Sequence, residues 1–99
     1  MEQRWSVPEN VLAATLQDEV VLLHLGTKDY YRLNETASVA WHGFERRCTE
    51  AEIVDLLCEA FTIERAPAKA ALRTLIADLE RRSLITRVDR IEPHSGPAT

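Results

Sequence analysis

The chain has 99 residues, a hydrophobic fraction of 45%, a charged fraction of 28% and a formal net charge of -4. These values predict one soluble globular domain, and the acidic balance argues against a surface that neutralises phosphates as its main role. No apolar run approaches the roughly 20 residues that cross a bilayer, and residues 1–4 lack the apolar segment of a signal peptide. We therefore expect a cytoplasmic protein that contacts neither nucleic acid nor membrane.

Three short strands are predicted in the first third of the chain. Residues 11–15 form a weak candidate, and residues 20–25 form a stronger one because they are rich in Val and Leu. Asp29–Leu33 follows a tight polar turn, in which Gly26 can supply the positive φ that a short loop needs. The pattern predicts a three-stranded antiparallel sheet with Asp29–Leu33 at its edge.

Two helices are predicted next, each with a recognisable start. The first spans residues 35–44, with Asn34 as its N-cap and Thr36 as a second candidate cap, and carries apolar residues at helical spacing that include Trp41. The second begins at the sequence TEAE, which fits a capping box with Thr49 as N-cap and Glu52 reaching back from the third helical position.

A third helix is predicted to open near Pro67, which is well placed at the first helical position, and to end near residues 81–83. Leu84 and Ile85 would then fold back onto the core. Three antiparallel strands followed by three helices predict an α+β fold of winged-helix-like arrangement.

We expect residues 1–88 to form this domain. Residues 89–99 contain Pro, Gly, Ser and Thr and little that can be buried, so they are predicted to be a disordered tail.

The sequence lacks a recognisable catalytic set. Cys48 and Cys58 stand ten positions apart without a CxxC motif or a nearby histidine pair, and His24, His42 and His94 are scattered. There is no nucleophile–base pattern and no Gly-rich phosphate loop. We therefore expect a protein that is not an enzyme and that uses no metal and no cofactor.

A short sheet edge followed by helices suits the binding of an extended peptide as an added strand. About four or five backbone bonds, at roughly 0.5–1.5 kcal/mol each, do not reach the approximately -8 kcal/mol of a micromolar complex once association entropy is subtracted. Side-chain pockets must supply the rest. The candidate peptide-binding residues are Asp29, Tyr30, Tyr31, Arg32 and Leu33 on the strand and Leu72, Leu75, Ile76, Asp78, Leu79 and Arg82 on the third helix.

Several of these candidates also have an ordinary structural interpretation. Leu72 and Leu79 fit a core stripe better than a groove. Asp78 and Arg82, one helical turn apart, fit a common surface ion pair. Strand alternation places the two tyrosines on opposite faces and leaves open which of them meets a ligand.

The segment YYRLNETASVAW, followed by TEAEIVDLL and ALRTLIADLERRSLI, resembles the PqqD-like peptide-recognition domains of ribosomal peptide maturation, also called RiPP recognition elements. The resemblance covers residues 20–85. It implies a non-catalytic module that binds the leader of a precursor peptide beside the third strand and against the third helix. The sequence departs from the family pattern at Ala37, at residues 44–47 and at Ser83, where the family often has Gly.

The resemblance also implies a partner. A free-standing chain of this size is similar to the lasso-peptide leader-binding proteins, which present the leader to a maturation enzyme such as a leader peptidase or cyclase. The alternative within the family is a PqqD-type chaperone that partners a radical enzyme in cofactor biosynthesis. We expect a monomer or a weak homodimer, because the uncovered edge of the third strand can pair with its twin until the leader displaces it.

A winged-helix DNA-binding regulator is the alternative from another functional class. The third helix carries several basic residues: Arg65, Lys69, Arg73, Arg81 and Arg82. The preceding segment is acidic, however, and no basic N-terminal arm is present. Because affinity for duplex DNA depends on neutralising phosphates, this function is disfavoured.

Overall fold

The computed structural model describes residues 3–88 and contains five strands and three helices in that range. The elements are β1 (Arg4–Ser6), β2 (Val11–Leu16), β3 (Glu19–His24), β4 (Asp29–Leu33), α1 (Glu35–Glu45), α2 (Glu50–Phe61), α3 (Arg65–Arg81) and β5 (Thr86–Val88). Strands β2, β3 and β4 form an antiparallel sheet in that order, and the three helices follow. The predicted α+β fold is confirmed, whereas the predicted tail lies outside the described residues.

A second sheet, which the sequence analysis did not predict, pairs β1 with β5. Trp5 of β1 is 2% exposed, its ring meets that of Phe44 edge-on at a centroid distance of 5.6 Å, and its Nε1 donates to Glu80 Oε2 at 3.2 Å. This two-stranded ribbon therefore closes the two ends of the described chain over the helices.

The turn between β3 and β4 differs from the prediction. Lys28, not Gly26, adopts a positive φ of 66°, and no glycine among residues 3–88 does so. The buried His24 ring organises the turn, because its Nδ1 accepts the backbone N–H groups of Gly26 at 3.1 Å and Thr27 at 3.3 Å. A Cβ at position 26 would lie 3.0 Å from His24 Cε1. A side chain at position 26 would thus crowd the imidazole, and the glycine is not used there for a positive φ.

The helix starts follow the predicted caps in two cases out of three. Asn34 Oδ1 accepts the N–H of Ala37 at 2.8 Å, and Thr49 and Glu52 form the complete capping box. Helix α3 instead begins at Arg65, so Pro67 is its third residue rather than its first. Proline is tolerated there because the N–H groups of the first helical turn have no partner within the helix.

The end of α3 explains one departure from the family pattern. Ser83 has a φ of 61°, which is the left-handed region that favours glycine. The N–H of Leu84 bonds the carbonyl of Leu79 at 2.9 Å, and that of Ser83 bonds the carbonyl of Glu80 at 3.0 Å. These bonds form a Schellman-type cap. The cap turns the chain so that Leu84 becomes fully buried, as predicted for the fold-back after the third helix.

One core lies between the sheet and the three helices. Its largest fully buried side chains include Trp41, Phe44, Leu22, Ile53 and Leu72. Helices α1 and α2 pack closely at Gly43, where a Cβ would lie only 2.7 Å from Ile53 Cγ1. Buried Ser38 joins α1 to the sheet, because its Oγ accepts the N–H of Val20 at 2.9 Å and donates to the carbonyl of Leu33 at 3.2 Å. Helix α1 is therefore fixed beside β4.

Candidate functional site

A groove of about 720 Å³ opens between α3 and the N-terminal half of α1. Ala40, Leu57 and Leu72 contribute its apolar inner surface, while Ala37 of α1 and Leu75 of α3 lie on opposite walls. The remaining lining residues are Asn34, Thr36, Ala71, Arg73, Thr74, Ala77, Asp78 and Arg81. An apolar interior with charged groups at the rim is typical of a site that takes side chains of a peptide.

The edge of the sheet next to this groove is β4, which has a strand on only one side within residues 3–88. The N–H of Leu25 bonds the carbonyl of Asn10 at 2.8 Å, so alternate residues of β3 bond towards β2 and the others towards β4. In the β3–β4 register, this alternation directs the backbone groups of Tyr30 and Arg32 to the outer edge. The edge can therefore accept an antiparallel strand.

The two tyrosines of β4 lie on opposite faces of the sheet. Tyr30 is 72% exposed and lies on the sheet face that points away from the helices. Tyr31 shares the inner face with buried Leu33, is half-buried, and packs against the core. Its hydroxyl donates to Asp29 Oδ2 at 3.5 Å, and Arg82 Cζ lies 5.2 Å from its ring centroid. Tyr31 thus links the edge strand to α3.

Charges at the groove rim are arranged around Asp78. Arg82 Nε donates to Asp78 Oδ1 at 3.2 Å and Oδ2 at 3.3 Å, and Arg81 also donates to Asp78 Oδ1. The hydrogen bond to Asp78 raises the pKa of Arg82 above its ordinary value, with a smaller contribution from Tyr31. Two guanidinium groups on one carboxylate leave this rim with a net positive charge, which favours an acidic group on a ligand.

The remaining predicted site residues are distributed between surface and core. Asp29 and Arg32 are exposed, and Arg32 pairs with Glu19 at 2.8 Å. Leu75 is half-buried on the groove wall. The other four are buried aliphatic side chains of the core, of which only Leu72 also lines the groove: Leu33, Leu72, Ile76 and Leu79.

The residues on the α1 side of the groove are not among the binding residues predicted from the sequence. Thr36 and Ala37 belong to the first turn of α1, which the Asn34 cap and Ser38 hold against the sheet. The signal that could have found them is the LNETA segment, where the edge strand leads directly into a helix and must place its first turn beside the strand.

Within residues 3–88, no group of three or more His, Cys, Asp or Glu side chains is placed to hold a metal ion. In the same range, no helix combines the length and the apolar character needed to span a membrane. Backbone donors and acceptors, an apolar groove and rim charges are the functional groups that the site presents.

Comparison with known proteins agrees with this architecture. The family model described as coenzyme PQQ synthesis protein D (PqqD) matches residues 19–85. A solved structure of TbiB1 in complex with the TbiA(beta) leader peptide is 32% identical, covers 81% of this chain and 93% of that one, and superimposes with a TM-score of 0.77.

A second solved structure, lasso peptide synthetase B1 complexed with the leader peptide, is 20% identical. It covers 82% of this chain and 95% of that one, with a TM-score of 0.74, and at this identity it shows a shared fold. No curated protein matches the chain.

Proposed function

The chain belongs to the PqqD family, and from this premise we propose that it binds the leader segment of a ribosomally made precursor peptide without catalysing a reaction itself. The leader adds as an antiparallel strand to β4 and inserts side chains into the groove between α1 and α3. The observation that carries the proposal is the link between the β4 edge and that groove: Asn34, the residue after β4, lines the groove, and Tyr31 of β4 contacts Arg82 next to its rim.

The β4 edge and the apolar groove would together supply the affinity that leader binding requires. The backbone groups of Tyr30 and Arg32 give an extended chain its register, but their bonds alone fall short of micromolar binding. The apolar groove supplies the additional energy and the sequence specificity. The positive rim formed by Arg81 and Arg82 around Asp78 favours a leader with an acidic residue near this end.

A relative of known structure supports the same ligand class. TbiB1, which is 32% identical over most of both chains, was solved with a leader peptide bound. We propose that the leader is then presented to a maturation enzyme, with a lasso-peptide protease or cyclase favoured. The alternative is a PqqD-type partnership with a radical enzyme, because the family model that matches this chain is the PqqD model.

The charge arrangement of α3 favours a peptide over duplex DNA. Arg65 pairs with Asp55, and Arg73 pairs with Glu50 at 2.7 Å. Arg81 and Arg82 share the single carboxylate of Asp78, so Asp55, Glu50 and Asp78 together offset three of the five positive charges named for a DNA-binding helix. A helix neutralised in this way has few charges left for phosphates.

Fluorescence polarisation with the labelled TbiA(beta) leader tests the proposal, and the leader segment of any precursor peptide found to be encoded near this gene is a second probe. We expect saturable binding by the labelled leader alone, and none by the core segment or by a scrambled leader of the same composition. Binding of the core segment alone would contradict the proposal.

Amide exchange tests the placement of the peptide. We expect leader binding to slow exchange of the outward N–H groups of Tyr30 and Arg32, because an added strand would accept them. Protection confined to α2 would show that the peptide lies elsewhere. Titration with the neighbouring leader peptidase, cyclase or radical enzyme then identifies the partner, since only the true partner should bind the leader complex more tightly than the free protein.

A further inference from the structure

The opposite edge of the three-stranded sheet, β2, is also exposed within residues 3–88, but its character differs from that of β4. Its sequence, VLAATL, has no charged residue and no proline, and its pairing with β3 runs unbroken from Val11 to Leu16 without a bulge. Leu12 is 51% exposed and Leu16 is 60% exposed. Charges, prolines and bulges are the usual devices that prevent an edge strand from pairing with another chain, and β2 lacks all three.

The backbone of β2 is available in an alternating pattern. Because Asn10 bonds Leu25 of the neighbouring strand, the even-numbered residues of β2 direct their N–H and C=O groups towards β3. Val11, Ala13 and Thr15 therefore direct theirs to the outer edge. The N–H of Val11 is already bonded to the carbonyl of Pro8 at 3.1 Å, so Ala13 and Thr15 offer both of their backbone groups to a partner. A partner strand must place its own outward residues opposite these positions.

The side chains of β2 are symmetric about Ala14. Leu12 and Leu16 lie two residues on either side of it, on the sheet face that points away from the helices. An antiparallel copy centred on Ala14 places Leu12 opposite Leu16 of the second copy, and Ala14 opposite itself. The same register places Ala13 opposite Thr15 of the second copy, so the outward backbone groups of the two strands meet as well.

We propose that a second copy of this chain pairs with β2 in this register, forming a two-fold dimer with a continuous six-stranded sheet. The side-chain symmetry selects this register, the backbone alternation permits it, and the strand brings no like charges together. Both β4 edges lie at the outer ends of this sheet. The dimer therefore leaves both leader grooves open, unlike a dimer through β4, which the leader would displace.

Sedimentation of the full chain over a concentration series, up to the high micromolar range, tests the dimer. We expect reversible dimerisation, and Leu16→Lys should weaken it on the order of tenfold or more, because symmetry removes the apolar contact twice. The control is Ile63→Lys, at an exposed aliphatic residue between α2 and α3 that lies outside the sheet. Dimerisation of the control should be unchanged. A chain that stays monomeric throughout, or equal loss in both variants, would overturn the proposal.

Two further variants test the register. The double variant L12K/L16E places opposite charges at facing positions only if the strands are centred on Ala14, so it should recover dimerisation relative to Leu16→Lys. Ala14→Cys, in a Cys48→Ser/Cys58→Ser background, should form an intermolecular disulfide on mild oxidation, because its Cα atoms would lie about 4.5 Å apart. Ala13→Cys in the same background is the control, and preferential cross-linking there would contradict this register.

Addition of the leader segment separates this proposal from the proposed function. We expect the dimer to persist at a leader concentration that saturates fluorescence polarisation. Dissociation of the dimer by the leader would place the self-association at β4 and overturn the proposal, while leaving leader binding intact. Leader binding that fails while the dimer forms would overturn the proposed function alone.

Discussion

The two sides of α3 have different surroundings. On the side towards the β1–β5 ribbon, Glu80 accepts hydrogen bonds from Trp5 Nε1 at 3.2 Å and from Arg87 Nε at 3.1 Å, and Trp5 is 2% exposed. On the side towards β4, Leu75 is half-buried in an open groove and Asp78 holds charges at its rim. Residues 3–88 cover the first side of the helix and leave the second side uncovered.

This difference separates stability from recognition on one helix. The closed side buries an aromatic ring and satisfies its N–H, which stabilises the fold but presents little to a partner. The open side leaves apolar surface and a strand edge exposed, which a protein normally covers. Substitutions on the closed side should therefore change unfolding, and substitutions on the open side should change peptide binding.

The largest expected effect is on stability, from Trp5→Ala. The substitution removes a buried ring and its contact with Phe44 and leaves Glu80 without one hydrogen-bond donor, so we expect a loss of about 3–5 kcal/mol in the free energy of unfolding. Denaturant titration measures it. Trp5→Phe, which keeps an aromatic ring but no N–H, should cost less. If Trp5→Ala weakened leader binding without changing stability, the ribbon would belong to the binding site instead.

The next effect is on recognition, from Leu75→Ala. This side chain lies on the groove wall, so its truncation should reduce leader binding by roughly 1–3 kcal/mol, the range for an apolar anchor at an interface. Fluorescence polarisation measures it, with unfolding recorded in parallel. Leu25→Ala is the matched control, because Leu25 is 40% exposed and lies outside the groove. Loss of stability with unchanged affinity would assign Leu75 to the core.

The features that the sequence predicted well are local ones. The Asn34 cap and the Thr49–Glu52 capping box depend on residues three positions apart, so their spacing alone is informative. The predicted sheet order likewise followed from short connections between neighbouring strands.

The features that the sequence analysis missed depend on contacts between distant residues. Strands β1 and β5 are only three residues long, which is too short for a periodic pattern to reveal them. They pair residues that are far apart in the sequence, such as Trp5 and Arg87. The turn after β3 depends on the buried ring of His24 rather than on Gly26. A turn type assigned from composition cannot include such a side chain.

The candidate site was predictable in part, because its α3 wall follows a local helical pattern whereas its α1 wall depends on packing between helices. The helical stripe on α3 suggested a groove-facing residue, and Leu75 lies there, but spacing alone did not separate it from its buried neighbour Ile76. Leu72, which fitted the core stripe, also lines the groove. The opposite wall at Ala37 depends on how α1 crosses α3. That crossing is a property of packing rather than of either helix by itself.

The smallest expected effect is from Arg82→Ala, at the rim of the open side. The guanidinium lies over the Tyr31 ring and shares Asp78 with Arg81, so its loss leaves Asp78 paired and the fold intact. We expect leader binding to weaken less than in Leu75→Ala, and to depend less on salt, because one rim charge that attracts a leader carboxylate is gone. Polarisation titrations at low and high salt measure both changes.

Two controls decide what Arg82 contributes. Arg82→Lys keeps the charge but loses the planar group above Tyr31, so it should restore the salt dependence while recovering only part of the affinity. Arg46→Ala removes a cation from the C-terminal end of α1, outside the groove lining, and should leave binding unchanged. If Arg82→Ala behaved like Arg46→Ala at both salt concentrations, the ion pair with Asp78 would be an ordinary surface contact, and recognition on the open side of α3 would rest on its apolar wall.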